Sequence, residues 1–160
     1  MAAGYYQAIK PRDPSEYVNG TLEYPESASF AGKRGTPVVL DANGRVDEAG
    51  TTPTSIFGIS VTQGHNTGAG VDKCLVYPMR QGVQWQITLL EALAQNMMGQ
   101  SDGLCGILID ATTGYWYAST ANGGAQFQII DYLQGPAGFV IGDTLATVYG
   151  TFLTTKFQVL

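Results

Sequence analysis

The side chains able to do chemistry are few in this sequence, and their spacing argues against most reactions. The single histidine, His65, sits in the polar stretch Gln63-Gly64-His65-Asn66-Thr67-Gly68-Ala69-Gly70, with no acidic residue within five positions. A histidine base needs an orienting carboxylate, so His65 reads as a solvated loop residue. The same glycines suggest a phosphate cradle, but no Lys-Ser/Thr pair follows the last of them, and Val71-Asp72 leads into a strand rather than a helix. Asp41, Asn43, Arg45 and Asp47 alternate like the start of a calcium loop, yet glycine falls at the fourth place and no glutamate stands at the twelfth. Cys74 and Cys105 lack a Cys-x-x-Cys spacing and have one histidine to share, so the usual zinc ligand sets cannot be assembled. Each lies in an apolar run and reads as a buried free thiol, a disulfide between neighbouring strands being the alternative. Asp110, Asp131 and Asp143 end or interrupt apolar runs; paired, they could work on sugars, but capping strand ends explains them more simply. No nucleophile, base and orienting group occur together, and the expectation is a protein that is not an enzyme, with no cofactor and no metal.

The elements that would carry any site are β-strands. The chain has 160 residues, enough for one compact domain, with 44% apolar residues and 17 aromatics, which excludes a disordered tail. Only 13% of residues are charged, about half the usual 25%, while 21 glycines are about twice the usual share. No apolar run approaches the roughly 18 residues of a membrane-spanning helix. The start, Met1-Ala2-Ala3-Gly4-Tyr5-Tyr6, has neither the basic nor the apolar region of a secretory signal, so an intracellularly made soluble protein is expected. The formal net charge is -5 and the cations are scattered, the wrong arrangement for direct nucleic-acid binding.

Residues 1–35, interrupted by Pro11, Pro14 and Pro25, read as an extended N-terminal arm, and 36–160 as a single β-rich domain. Asn19-Gly20-Thr21 is formally a glycosylation acceptor, with no secretion signal to make use of it. Within the domain, Pro37-Val38-Val39-Leu40 and Val46-Asp47-Glu48-Ala49 flank Asn43-Gly44, a type I′ hairpin signal. Strands are expected at 55–61, where Gly58 suggests a bulge or a close backbone approach, and at 73–79 and 82–90. The last alternates Val83, Trp85, Ile87 and Leu89 against Gln84, Gln86 and Thr88. Further strands are expected at 106–110, 115–119, 126–133, 144–153 and 156–160, with a hairpin-type turn at Ala121-Asn122-Gly123-Gly124. Glu91 to Met98 is the one short helix candidate, with Gly99 just past its end. The fold class is therefore all-β, a small β-barrel or β-sandwich with an extended arm and one short helix.

Two groups of residues suit binding rather than chemistry. Tyr5, Tyr6, Tyr17, Tyr24 and Phe30 on the arm are candidate anchors on a partner surface, unless the arm folds back over its own domain. Gln84, Gln86, Gln126 and Gln128 give strand faces an uncharged polar surface that could meet another copy without desolvating ions. Trp85, Trp116 and Tyr117 are core residues or interface anchors, and their alternating context favours core.

The stretch Tyr24 to Val46, with Gly35-Thr36-Pro37-Val38-Val39-Leu40-Asp41 and Gly44-Arg45-Val46, followed by Ile56-Phe57-Gly58-Ile59, resembles the head decoration, or capsid cement, proteins of tailed bacteriophages. The resemblance covers about residues 24 to 90. It implies a β-tulip-like domain, made in the host bacterial cytoplasm, that binds the outside of the capsid through the major capsid protein and commonly forms a homotrimer. The arm would lay a strand on the shell, with the arm aromatics as anchors. The 70 residues after Leu90 depart from the shorter members. Two rivals remain: another virion β-protein such as a tail-tube or head-tail connector subunit, and a small ligand- or glycan-binding barrel with Trp85, Trp116 and Tyr117 as a stacking platform.

Overall fold

A computed structural model describes residues 4–17, 20–121 and 124–160. Asn19 of the formal acceptor, and Asn122 and Gly123 of the expected turn, lie outside the described residues. The protein is all-β. Among the described residues eleven strands occur in chain order: β1 (Lys10–Pro11), β2 (Leu22–Pro25), β3 (Pro37–Leu40), β4 (Val46–Glu48), β5 (Gly58–Ser60), β6 (Lys73–Pro78), β7 (Trp85–Leu89), β8 (Leu104–Ile109), β9 (Trp116–Ser119), β10 (Phe127–Tyr132) and β11 (Thr147–Phe152). Helical structure among the described residues is limited to 3₁₀ turns at Pro14–Tyr17, Gln95–Met97, Ser101–Gly103 and Thr154–Lys156. The last turn and an isolated bridge at Phe157 replace the final expected strand.

Strands β7, β11, β10, β8 and β9 form a closed barrel, joined in that order by four antiparallel pairings and completed by parallel pairing of Thr88 and Leu89 with Tyr117 and Ala118. The alternation read in β7 is the reason: Val83, Trp85, Ile87 and Leu89 all point inward and are buried. They meet Cys105, Ile107, Phe127, Ile129, Val148 and Phe152 from the other staves. Gly150 allows the close approach of β10, since a Cβ there would stand 2.0 Å from the Gln128 carbonyl oxygen.

The second sheet runs β2, β6, β5, β3, β4, all antiparallel. It curls until its edges touch at one parallel bridge, Glu26 with Val46, around a smaller core of Phe30, Val38, Val46, Phe57, Cys74 and Val76. Its β5 also faces the barrel, because Ile56 and Ile59 belong to the barrel's core cluster. The chain's end clasps this junction. Phe157 bridges Ile56, and the Gln158 side-chain amide accepts from Leu40 N and donates to Leu40 O at 2.8 Å each.

Two local expectations are corrected. Glu91 to Met98 is no two-turn helix, because its groups bond elsewhere: Leu93 N donates to Asp143 O, and the Glu91 carboxylate accepts from Thr120 N and the Ser119 hydroxyl. The Asn43-Gly44 hairpin is real, but only Gly44 has a positive φ, of 70°, so the turn is not type I′. The Asp41 carboxylate shapes it, accepting from the backbone N–H groups of Asn43 and Arg45 at 2.7 and 2.9 Å. These bonds, the one from Arg45 N foremost, lower the Asp41 pKa.

Candidate functional site

The arm folds back on its own domain, which separates the five aromatic candidates into two kinds. Tyr17 and Phe30 are buried at 3% and 0% exposure, one in each core, so in this conformation neither can anchor a partner. Tyr17 stacks on Tyr77 and Trp85, and its hydroxyl donates to the Pro78 carbonyl at 2.6 Å. Burial pushes its pKa up to about 12. Tyr24 is half-buried, edge-on to Phe57 at 5.2 Å, and Tyr6 rests on Tyr117 at 5.4 Å. Tyr5 alone of the five is exposed, at 63%.

The amide candidates are engaged within the chain. Gln126 is buried; its oxygen accepts from Ile107 N and its nitrogen donates to Pro53 O, both at 3.0 Å, so it ties barrel to sheet and is no oligomer surface. Gln84 accepts from Arg12 at 2.8 Å, Gln86 donates to Gln7 at 3.2 Å, and Gln128 donates to the carbonyls of Gln100 and Ile129. Thus the arm itself covers much of the uncharged face of β7, where β1 pairs Lys10 with Gln86 and Pro11 with Trp85. Trp85 and Trp116 are 0% and 2% exposed, which removes the stacking platform on which a glycan-binding barrel depended.

The carboxylates considered for acid-base work each end on their own partner. Asp110 accepts from the Thr113 hydroxyl and backbone N–H, which lower its pKa; Asp131 pairs with Arg12 at 3.1 Å; Asp143 accepts from Val140 N at 3.0 Å. Both cysteines are free and buried, one in each core, and burial raises both thiols, Cys105 to about 12. Among the described residues no three His, Cys, Asp or Glu side chains converge on a metal-sized site.

Sequence reasoning missed a partner for His65. Glu26, 39 positions earlier, accepts from His65 Nδ1 at 2.8 Å and from its backbone N at 2.9 Å, with a carboxylate only 2% exposed. The hydrogen bond to Glu26 is the main cause of a raised His65 pKa. The Ser27 hydroxyl, next to Glu26 in sequence, is buried without a hydrogen-bond partner among the described residues. The pair serves structure, since Glu26 is the residue at which the curled sheet closes.

Exposed apolar side chains include Val71, Val159 and Leu160, and four more lie together on β10 and the loop after it. Ile130, Leu133, Val140 and Ile141 are 39%, 36%, 57% and 45% exposed, and no charged residue occurs from Tyr132 through Gly142. The loop is held in shape by Leu133 N to Thr147 O, Phe139 N to Leu133 O and Gly142 N to Leu93 O. No helix among the described residues is long and apolar enough to cross a membrane. Comparisons of the chain with protein-family models, curated proteins and solved structures found no match.

Proposed function

We propose that this chain is a non-catalytic structural protein of a tailed-phage virion, decorating the outer surface of the capsid through contacts with the major capsid protein and with copies of itself, as a homotrimer. The observation that carries the reading is the shaped, charge-free loop with Val140 and Ile141 exposed: apolar side chains held on a rigid support suit a permanent contact better than a reaction. The resemblance of residues 24–46 and 55–60 to decoration proteins supplies the identity of the partner, and these residues include β3, β5 and the adjoining ends of β2 and β4, all of one sheet. The arm's part changes: with Ile9 and Tyr17 in the core, truncating it would damage the fold, so surface variants are the proper probe. Purified protein is expected to have the mass of a trimer and to co-sediment with emptied capsids, and Val140→Asp with Ile141→Asp to lose both properties while keeping the wild-type circular dichroism. A wild-type monomer that ignores capsids would overturn the reading.

A further inference from the structure

A cleft unrelated to that apolar loop opens where residues 5–10 pass over the end of β5. One hollow of about 390 Å³ lies between Tyr5, Tyr6, Lys10, Arg34, Val61 and Tyr115. A second, of about 430 Å³, shares Arg34, Val61 and Tyr115 and adds Lys33. Three of the chain's eight Lys and Arg residues line these hollows and no Asp or Glu does, in a protein of net charge -5. Burial and then the Asp110 charge raise the Tyr6 pKa, and the Asp110 carboxylate is itself held by the Thr113 hydroxyl.

Three cations elsewhere are engaged by neighbours, whereas Arg45 and Lys156, like two of the cleft cations, make no side-chain bond to the described residues. Arg12 is committed to Asp131, Lys73 to Glu23, and Arg80 to the carbonyls of Glu16 and Gly20. Among the described residues Lys10 and Arg34 make no side-chain hydrogen bond or ion pair, and both are exposed. Lys33 places its ammonium 4.6 Å from the centre of the Tyr115 ring, which orients it along the wall without neutralising it. A single-sign cluster of this kind raises the local concentration of anions. The main chain adds a second kind of recognition. Gln7 N is bonded to the Thr88 hydroxyl and Tyr5 O accepts from it, but the backbone groups of Tyr6 and Ala8 make no hydrogen bond to the described residues. Free peptide groups at alternate residues, flanked by tyrosines, match the two-residue repeat of another extended peptide better than that of a sugar or a nucleotide.

We infer that this cleft is a binding site for an extended acidic peptide segment of a partner protein, whose carboxylates meet Lys10, Lys33 and Arg34 while its backbone lies along Tyr6 and Ala8. The site stands whether or not the protein decorates a capsid. A short synthetic peptide alternating glutamate and alanine, titrated into the labelled full chain at low salt, is expected to shift the amide signals of Tyr6, Ala8, Arg34, Val61 and Tyr115. Its glutamine-alanine analogue should bind at least about tenfold more weakly, and so should the Lys10→Ala, Arg34→Ala double variant tested with the acidic peptide. That variant is expected to keep its thermal midpoint, since neither side chain has a partner to lose. No shift, shifts spread equally over Arg45 and Lys156, or an oligouronate or oligothymidylate filling the cleft more tightly than the peptide would each overturn the inference.

Discussion

The barrel and the curled sheet are two solutions to the same problem, the unpaired edge. The barrel closes by two residue pairs between β7 and β9 and leaves no edge within its ring. The sheet meets itself only at Glu26 and Val46, and most of β2 and β4 remains open. Charge follows this difference. From Trp85 to Phe152 the sequence holds five charged residues, Glu91, Asp102, Asp110, Asp131 and Asp143, while from Leu22 to Pro78 it holds ten. The open strands carry Pro25 and the Lys73-paired Glu23 on one edge and Asp47 and Glu48 on the other, so a proline and charged side chains guard both edges against pairing with another copy. A closed barrel has no such need. The low charge of the C-terminal half thus has a cause in its topology, before any covering by partners is considered.

The largest effect should come from the residue that both units lean on. Trp85 packs against Tyr17, Tyr77 and Phe152 at ring distances of 5.8 to 6.2 Å. Trp85→Ala is expected to cost about 3–5 kcal/mol in denaturant unfolding and to release both sheets together, whereas Phe30→Ala, in the smaller core, should raise amide exchange in β3 and β6 ahead of the barrel. Equal, simultaneous loosening by the two variants would erase the distinction between the units. Removing charge from the open edge is the next test. Asp47→Val with Glu48→Val should leave stability within about 0.5 kcal/mol yet produce concentration-dependent association in sedimentation velocity; a variant that stays as soluble as wild type would mean the acids do not guard the edge.

The smallest effect concerns the seam. With its folded pKa raised above 6.5, His65 contributes through Glu26 a stabilisation fully present below about pH 6.5 and lost as pH rises through the raised value. An NMR titration should place the His65 midpoint above 6.5 in wild type and lower in Glu26→Gln. An unchanged midpoint in that variant would detach the histidine from the seam.

Legibility divided along the same line between local and distant. Alternation in β7 and turn chemistry at Asp41 to Arg45 are local, and the strands and hairpin were readable from them. Gly58 also proved informative, since a Cβ there would stand 2.5 Å from the Tyr77 carbonyl oxygen. Tyr17 bonds Pro78 61 positions away, Gln126 reaches Pro53 73 positions away, His65 meets Glu26 39 positions away, and Phe30 packs with Phe57, Cys74 and Val76 from distant parts of the chain; no periodicity encodes such partners. Glu91 to Met98 misled for the same reason, as helix propensity lost to backbone bonds with Asp143 and Gly142.

The placement of β1 also sets an order of events. Lys10 and Pro11 pair with Gln86 and Trp85, so a chain emerging from the ribosome must expose its first tyrosines until β7 has been made. Strand β7 in turn lacks its other neighbours until Ala118 and then Thr147 to Gly150 appear. Assembly is therefore dominated by contacts of high sequence separation, which makes folding slow for a domain of this size. During that interval the segment that later walls the basic cleft is open to whatever binds it first.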